Sequence, residues 1–319
     1  MQKIRTAVIG VGYLGKFHVE KFANLPEAHL VAICDLNEQH CQGLAKQYAV
    51  KAFSKYQDLL GEVDAVSIVV PTLFHYEVAK FFLEHHIHVL LEKPITSNLA
   101  EADALIEIAR QNQCVFQIGH LERFNSTVIA LQEVLKNPRF IESHRLAPFN
   151  PRGTDVNVIL DLMIHDIDII QTIVKSPIKS IDASGAKVLS EHLDIANARI
   201  RFANGCVANV TASRVSIKSE RKMRIFQDDS YISTDFQHKK LSIYRKVNDT
   251  KSVEKIVHEE HNFGQSDALK AEIAAFLQAV KLGIEPQVTA EDGRNALATA
   301  IAITELVENE LAQIGAISA

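Results

Sequence analysis

The sequence predicts an α/β protein: an N-terminal Rossmann unit with a doubly wound parallel sheet, then a C-terminal α+β domain with a large, mostly antiparallel sheet. Three observations predict this. Apolar runs alternate with amphipathic stretches over roughly the first 120 residues. Gly10, Gly12 and Gly15 spell GxGxxG directly after the first apolar run, and after Val174 the pattern turns strand-rich. At 319 residues the chain also exceeds what one hydrophobic core usually serves. Two domains are expected, over 1–122 and 123–319, with the final helix (about 290–311) returning to the first.

The elements follow in order. Arg5–Ile9 reads as a buried strand, and about Tyr13–Asn24 as the helix opened by the glycines. Strand His29–Cys34 ends at Asp35, and a helix follows over Glu38–Tyr48. Then come strand Ala65–Val70, helix Glu77–His85, strand His88–Leu91, helix Leu99–Asn112 and strand Cys114–Ile118. Continuously apolar strands separated by helices mean a parallel sheet covered on both faces. Later strands are expected at Ser180–Ala183, Ile195–Phe202, Cys206–Ser213, Lys222–Gln227, Tyr231–Asp235 and Lys240–Tyr244. Asn204-Gly205 marks a hairpin turn between two of them. Helices at Asp267–Leu282 and Ala290–Leu311 close the chain.

Composition excludes several classes. The net charge is −5, and no block of basic residues exists for a nucleic acid or an anionic membrane. The four cysteines, Cys34, Cys41, Cys114 and Cys206, form no CxxC pair. No disulfide framework is expected, which fits a reducing compartment. The chain enters a strand at once without a signal-peptide core, and no apolar run is long enough to span a bilayer. A soluble, cytoplasmic protein is expected.

The glycine turn carries the first chemistry. Gly10 permits the tight turn, Gly12 lets backbone approach a pyrophosphate, and Gly15 lets helix and strand pack closely. Tyr13 and Leu14 fill the turn, and the helix offers its N–H groups to phosphate. Asp35, twenty residues after Gly15 at a strand end, suits the ribose hydroxyls of a dinucleotide. A carboxylate there repels a 2′-phosphate, and Leu36 and Asn37 supply no cation, so NAD is expected over NADP.

Two further clusters suggest proton chemistry. Strand His88–Leu91 runs into Glu92-Lys93-Pro94, at the strand end where ligands gather in such folds. Lys93 there suits donation to a substrate oxygen. Residues 158–170 are apolar except Asp161, His165, Asp166 and Asp168. Spacings of four and three place Asp161, His165 and Asp168 on one helical face. His165 can exchange a proton near neutral pH, with Asp161 to orient it or to bind substrate. His120, Arg123 and Asn125 stand at the domain crossing as substrate candidates, Asn125 with the alternative of a helix N-cap. No metal site is expected: His85, His86 and His88 straddle a helix end and a strand start and point apart.

GVGYLG, LLEKPIT (Leu90–Thr96), GHLERFN (Gly119–Asn125) and DLMIHDID (Asp161–Asp168) together resemble the Gfo/Idh/MocA oxidoreductase family over essentially the whole chain. The resemblance implies a Rossmann domain plus an antiparallel-sheet domain, and oxidation or reduction of sugars, inositols or polyols with a nicotinamide cofactor. It matches the family's catalytic lysine to Lys93 and its helix aspartate and histidine to Asp161 and His165. It also places Pro71, His75, Glu92 and Lys93 on the cofactor side, and implies a homodimer or homotetramer through the open sheet face. Within the family, GHLERFN and DLMIHDID are most similar to members acting on the C3 hydroxyl of UDP-N-acetylglucosamine. Arg145 and Arg152 then become candidates for a diphosphate, which paired guanidinium groups suit. A free sugar or inositol dehydrogenase, and a non-catalytic NAD-binding regulator, remain open beside this reading. Which of Lys93 and His165 is the base also stays open, as does the cis or trans state of Lys93–Pro94.

Overall fold

The computed structural model describes residues 3–150, 156–246, 256–264 and 266–317. Contacts divide the chain into two units: Met1–Phe124 with Asp267–Leu297, and Asn125–Ser266 with Ala298–Ala319.

The first unit is built on six parallel strands: β1 (Ile4–Ile9), β2 (Ala28–Cys34), β3 (Lys51–Phe53), β4 (Ala65–Ile68), β5 (His88–Glu92) and β6 (Phe116–Gly119). Their order, β3-β2-β1-β4-β5-β6, reverses direction between β1 and β4, where such sheets bind ligands at their carboxyl ends. Every residue of β4 is buried, as two helix-covered faces require. The first four helices are α1 (Gly15–Asn24), α2 (Glu38–Tyr48), α3 (His75–Glu84) and α4 (Leu99–Gln111). Asn37 and Asn98 start α2 and α4 by accepting from the backbone N–H of His40 and Glu101.

The second unit opens with α5 (Ser126–Val134) and β7 (Pro138–Leu146), and α6 (Ile164–Val174) follows. Strands β8 (Ile178–Ala186), β9 (Ile195–Phe202), β10 (Val207–Ser213), β11 (Glu220–Gln227), β12 (Ser230–Asp235), β13 (Lys240–Lys246) and β14 (Ile256–Asn262) complete it. The eight-stranded sheet runs β14-β13-β12-β11-β7-β10-β9-β8. All neighbours are antiparallel except β7 and β10, which pair in parallel. Gly205, at φ +87°, makes the β9–β10 hairpin. Along β9 the alternate residues Ala196, Ala198, Ile200 and Phe202 are buried, and α5 and α6 pack on the sheet. Elsewhere in the sheet, Phe140, Phe226, Tyr231, Tyr244 and His258 stand opposite one another across five strands. Successive ring centroids lie 5.9, 5.0, 5.6 and 4.3 Å apart, the cross-strand contact that stabilises sheets.

The chain then returns to the first unit through α7 (Ala268–Leu282), and α8 (Ala290–Ile317) follows. Ile273, Phe276 and Leu277 of α7 join Val19 and Phe22 of α1 in one buried cluster. The first unit thus takes α7 and the start of α8 up to Leu297, and the rest of α8 belongs to the second unit. The final helix expected to return over 290–311 is therefore divided between them, and the first boundary falls after Phe124. Four elements carry no clear sequence signal. β3 has three residues, α5 follows a buried 3₁₀ turn, and β7 mixes polar residues onto both faces. β14 is exposed at every position, so its side chains show no apolar alternation.

Phe276 is fully buried, so Phe276→Ala should cost about 3–5 kcal/mol by removing contacts and leaving a cavity. Chemical denaturation checks this; a loss under about 1 kcal/mol would mean that α7 is peripheral to the first core.

Candidate active site

At the glycine turn the three glycines have different duties. Gly10 has φ +82°, and a Cβ there would lie 2.6 Å from the Val69 carbonyl oxygen. A Cβ on Gly15 would run into the Gly10 carbonyl. Gly12 meets no protein atom within 4 Å of such a Cβ, so the fold itself does not require glycine there. Leu14 precedes α1 without a side-chain cap, and no acidic residue stands in the first turn. The helix therefore keeps its positive end. Tyr13 is exposed, its ring 5.9 Å from Phe17 with Lys16 Nζ 5.1 Å from its centroid. Leu14 is exposed beside it. Asp35 is oriented by two backbone donors: Val11 N–H to Oδ2 and Asn37 N–H to Oδ1, each 2.8 Å. Each carboxylate oxygen retains acceptor capacity.

The end of β5 holds the second constellation. The Lys93–Pro94 peptide bond is cis. His75, buried at the start of α3 four residues after Pro71, sets Nδ1 2.8 Å from the Pro94 carbonyl oxygen and Nε2 3.0 Å from that of Val70. Burial pushes the imidazole pKa down, while the two carbonyls act against that shift. Both ring nitrogens face backbone carbonyls, one from the segment after β4 and one from the segment after β5. Behind Lys93, Glu92 Oε1 lies 3.2 Å from His18 Nε2, an ion-pair distance without hydrogen-bond alignment. His18 Nδ1 in turn lies 2.9 Å from Ser67 Oγ. Burial pushes Glu92 up, but His18 and Lys93 outweigh it and hold the carboxyl below its ordinary value.

In the second unit, Asn157 Oδ1 accepts from the N–H of Ile159 and Leu160 at 3.1 and 2.9 Å. A π-helical turn over Ile159–Met163 follows, and it leads directly into α6. Asp161 sits in this wide turn and His165 in the first turn of α6, both half-buried. Such turns recur at functional sites because they re-aim a side chain. Asp168 is buried. So is Asp166, which receives both Nε and Nη2 of Arg145 at 3.0 Å.

That pair corrects the expectation for Arg145. Its neighbours Ile141 and Ser143 are also buried, and period two puts Arg145 on the same covered face of β7. Arg123 is likewise buried, with Nη2 3.6 Å from Asp292 Oδ1. Asn125 takes its alternative role: Oδ1 accepts from Thr127 N–H at 3.0 Å to cap α5, and Nδ2 donates to the Phe236 carbonyl at 3.2 Å. His120 is buried in the first unit. Arg152 lies outside the described residues. Among the described residues no group of three His, Cys, Asp or Glu is placed to hold a metal. None of their helices is long and apolar enough to cross a membrane.

Sequence reasoning passed over His18, Gln117 and Glu272, all fully buried in the first unit. A signal existed: Glu272, Phe276 and Ala279 lie at helical spacing on one stripe, and His18 stands four residues before Phe22.

The sheet order, the glycine turn and the acid after β2 define a nucleotide-binding Rossmann unit, joined in this chain to a one-sheet α+β unit. The chain belongs to the Gfo/Idh/MocA oxidoreductase family. Residues 4–120 match the oxidoreductase family's NAD-binding Rossmann fold, and residues 137–233 match its C-terminal domain. The chain is 38% identical over 310 residues to a UDP-N-acetylglucosamine 3-dehydrogenase of Acidithiobacillus ferrooxidans, covering 97% of this chain and 98% of that one. A solved structure of the Acidithiobacillus enzyme matches with a TM-score of 0.90, covering 97% of this chain and 99% of that one. A myo-inositol 2-dehydrogenase of Thermotoga maritima is 26% identical over 336 residues, covering 96% and 97% of the two chains. A scyllo-inositol dehydrogenase of Lactobacillus casei, solved with NAD(H) and scyllo-inositol, shares the fold at a TM-score of 0.82 and 21% identity, covering 97% and 98%.

The contrast between the glycines is testable. Gly12→Ala should leave thermal stability within about 0.5 kcal/mol while weakening NADH binding measured by fluorescence. Gly15→Ala should lower stability as well, because its methyl group collides with the Gly10 carbonyl. Equal binding by Gly12→Ala and the unmodified protein would mean that no ligand backbone passes there.

Proposed function

We propose that this protein is an NAD-dependent dehydrogenase oxidising the C3 hydroxyl of UDP-N-acetylglucosamine or a similar UDP-sugar. The observation that carries this is the end-to-end similarity to the Acidithiobacillus enzyme. The cofactor half fits NAD. Open space beside Gly12 and the uncapped N-terminus of α1 suit a pyrophosphate, and the oriented Asp35 carboxylate suits ribose hydroxyls. Asp35 also disfavours a 2′-phosphate, with exposed Leu36 and then Asn37 next to it. When bound, NAD supplies the acceptor for the hydride that leaves the sugar carbon.

The chain's own residues have to handle the proton and the oxygen. Lys93, at the carboxyl end of the sheet, is assigned to hold the substrate oxygen. His165 is assigned to take its proton, with Asp161 to orient the imidazole or bind sugar. The internal pairing of Arg145 and Arg123 leaves Arg152 as the diphosphate candidate. The Arg145–Asp166 pair also favours a second reading, oxidation of a free sugar or inositol, since one of the two arginines expected for a diphosphate is engaged within the protein. A homo-oligomer is proposed through the sheet's aromatic row, of which Phe226 and Tyr244 are exposed.

NADH formation with UDP-N-acetylglucosamine, free N-acetylglucosamine and inositols separates the readings. UDP should compete with the sugar nucleotide and not with NAD, and Arg152→Ala should raise KM more than it lowers kcat. Oxidation of a free sugar or inositol without UDP binding would replace the first reading by the second. Lys93→Ala and His165→Ala should each lower kcat about 10²–10⁴-fold with NADH affinity retained. Near-normal turnover in either variant would remove its assigned role. Asp35→Ala should weaken NAD and narrow its advantage over NADP; tighter NADP binding by the unmodified protein would overturn the cofactor preference.

A further inference from the structure

Within the first unit, α7 places a carboxylic acid in its own apolar stripe. Glu272 has no solvent exposure, and Ile273, Phe276 and Ala279 are buried around it on the helix. Among the described residues neither Glu272 oxygen has a hydrogen-bond or ion-pair partner. Gln117 of β6 donates Nε2–H to the Glu272 backbone carbonyl at 3.2 Å, while its own buried Oε1 has no donor. Two residues along the same strand face, Gly119 pairs with Glu92, whose carboxyl atoms lie 3.1 Å from where a Gly119 Cβ would stand. This side of the sheet therefore gathers Gln117, Glu92 and, from α7, Glu272.

The charged groups nearby have other partners. On α1, His18 is engaged by Ser67 and Glu92, and Lys21 by Glu20 and Asp267. On α3, His75 faces the carbonyls of Pro94 and Val70. Residues 121–124, packed on α7, bring Glu122 and Arg123, and Arg123 lies near Asp292. Glu92 and Lys93 end β5. The group whose charge acts on Glu272 is Glu92, an anion.

We propose that Glu272, fully buried, keeps its proton at neutral pH, so that it and the mostly buried Glu92 beside Lys93 together carry one negative charge. Among the described residues three buried acceptor atoms, two on Glu272 and one on Gln117, lack a donor, and a proton on Glu272 supplies one. An ionised Glu272 would instead be an unpaired buried charge next to the Glu92 anion. Desolvation, and then the Glu92 charge, raise the Glu272 pKa well above its ordinary value. Glu92, with His18 and Lys93 as neighbours, is lowered. Two carboxyls sharing a site divide in this way, one taking the proton and one the charge. Lys93 then stands beside one negative charge rather than two, and Glu272 acts on it only through Glu92.

The linkage has a definite sign. A raised folded pKa means stability is fully present below the unfolded value of about 4.3 and falls as pH rises toward the folded value. Glu272→Gln does not titrate, so its melting temperature minus that of the unmodified protein should increase steadily between about pH 5 and 8. A flat or decreasing difference overturns the proposal. Infrared spectra at pH 7 should show a protonated-carboxyl band that is lost in Glu272→Gln and kept in the exposed Glu305→Gln. Absence of that band from the unmodified protein overturns the proposal even if the variant fails to fold. In Glu92→Gln the band should disappear at lower pH than in the unmodified protein, because the anion that raises Glu272 is gone; an unmoved midpoint refutes the pairing. None of these readouts involves a sugar, so they stand or fall separately from the substrate reading above.

Discussion

A parallel sheet covered by helices on both faces leaves no strand side chain an easy route to water, and the first unit is organised by that constraint. Its middle strands are buried at nearly every position, so a polar group placed there must be answered from a neighbouring element. Ser67 of β4 is answered by His18 of α1, and His18 stands next to Glu92 of β5. His75 lies between the segments leaving β4 and β5, its ring nitrogens 2.8 and 3.0 Å from the Pro94 and Val70 carbonyl oxygens. The same packing presses α1 so closely on the turn after β1 that Gly15 has no room for a methyl group.

The second unit meets the same requirement with ion pairs. Arg145 and Asp166 join β7 to α6, and Arg214 and Asp194 make a second buried pair at 2.8 Å. Asp194 also accepts from the N–H of Val188, Leu189 and Ser190. Burial opposes its charge, but Ser190, Arg214 and these amides hold its pKa far below the ordinary value. Arg214 reaches on to the Val156 carbonyl at 2.6 Å, one residue before Asn157 caps the π-helical turn. Buried pairs of this kind add modest net stability because both charges must be desolvated. Their effect here is geometric, setting the path of the chain into the turn that carries Asp161.

The two units therefore prepare different kinds of group. The first offers backbone: a helix end, a glycine that nothing in the fold demands, and a carboxylate aimed by two amides. The second offers an acid and an imidazole from a helix whose regular hydrogen-bond pattern is interrupted. Family membership is consistent with this division, since one model matches the Rossmann segment and another the sheet that follows.

Local pattern was enough for whatever depends on neighbours in sequence. The Rossmann alternation, the glycine turn, Asp35 at the end of β2, Lys93 at the end of β5 and the Asn-Gly hairpin were all legible, because period, turn chemistry and strand ends are short-range properties. Tertiary structure decided which polar residues face inward. Arg145 looked available for a ligand until the pleat of β7 turned it toward Asp166, and Asn125 proved to be a cap. Glu272, passed over in the sequence, is carried away from solvent where α7 folds back onto the first unit. No local pattern reveals such a return, because the partners lie some 150 residues apart in the chain and the energetic consequence, the loss of water, exists only once they meet.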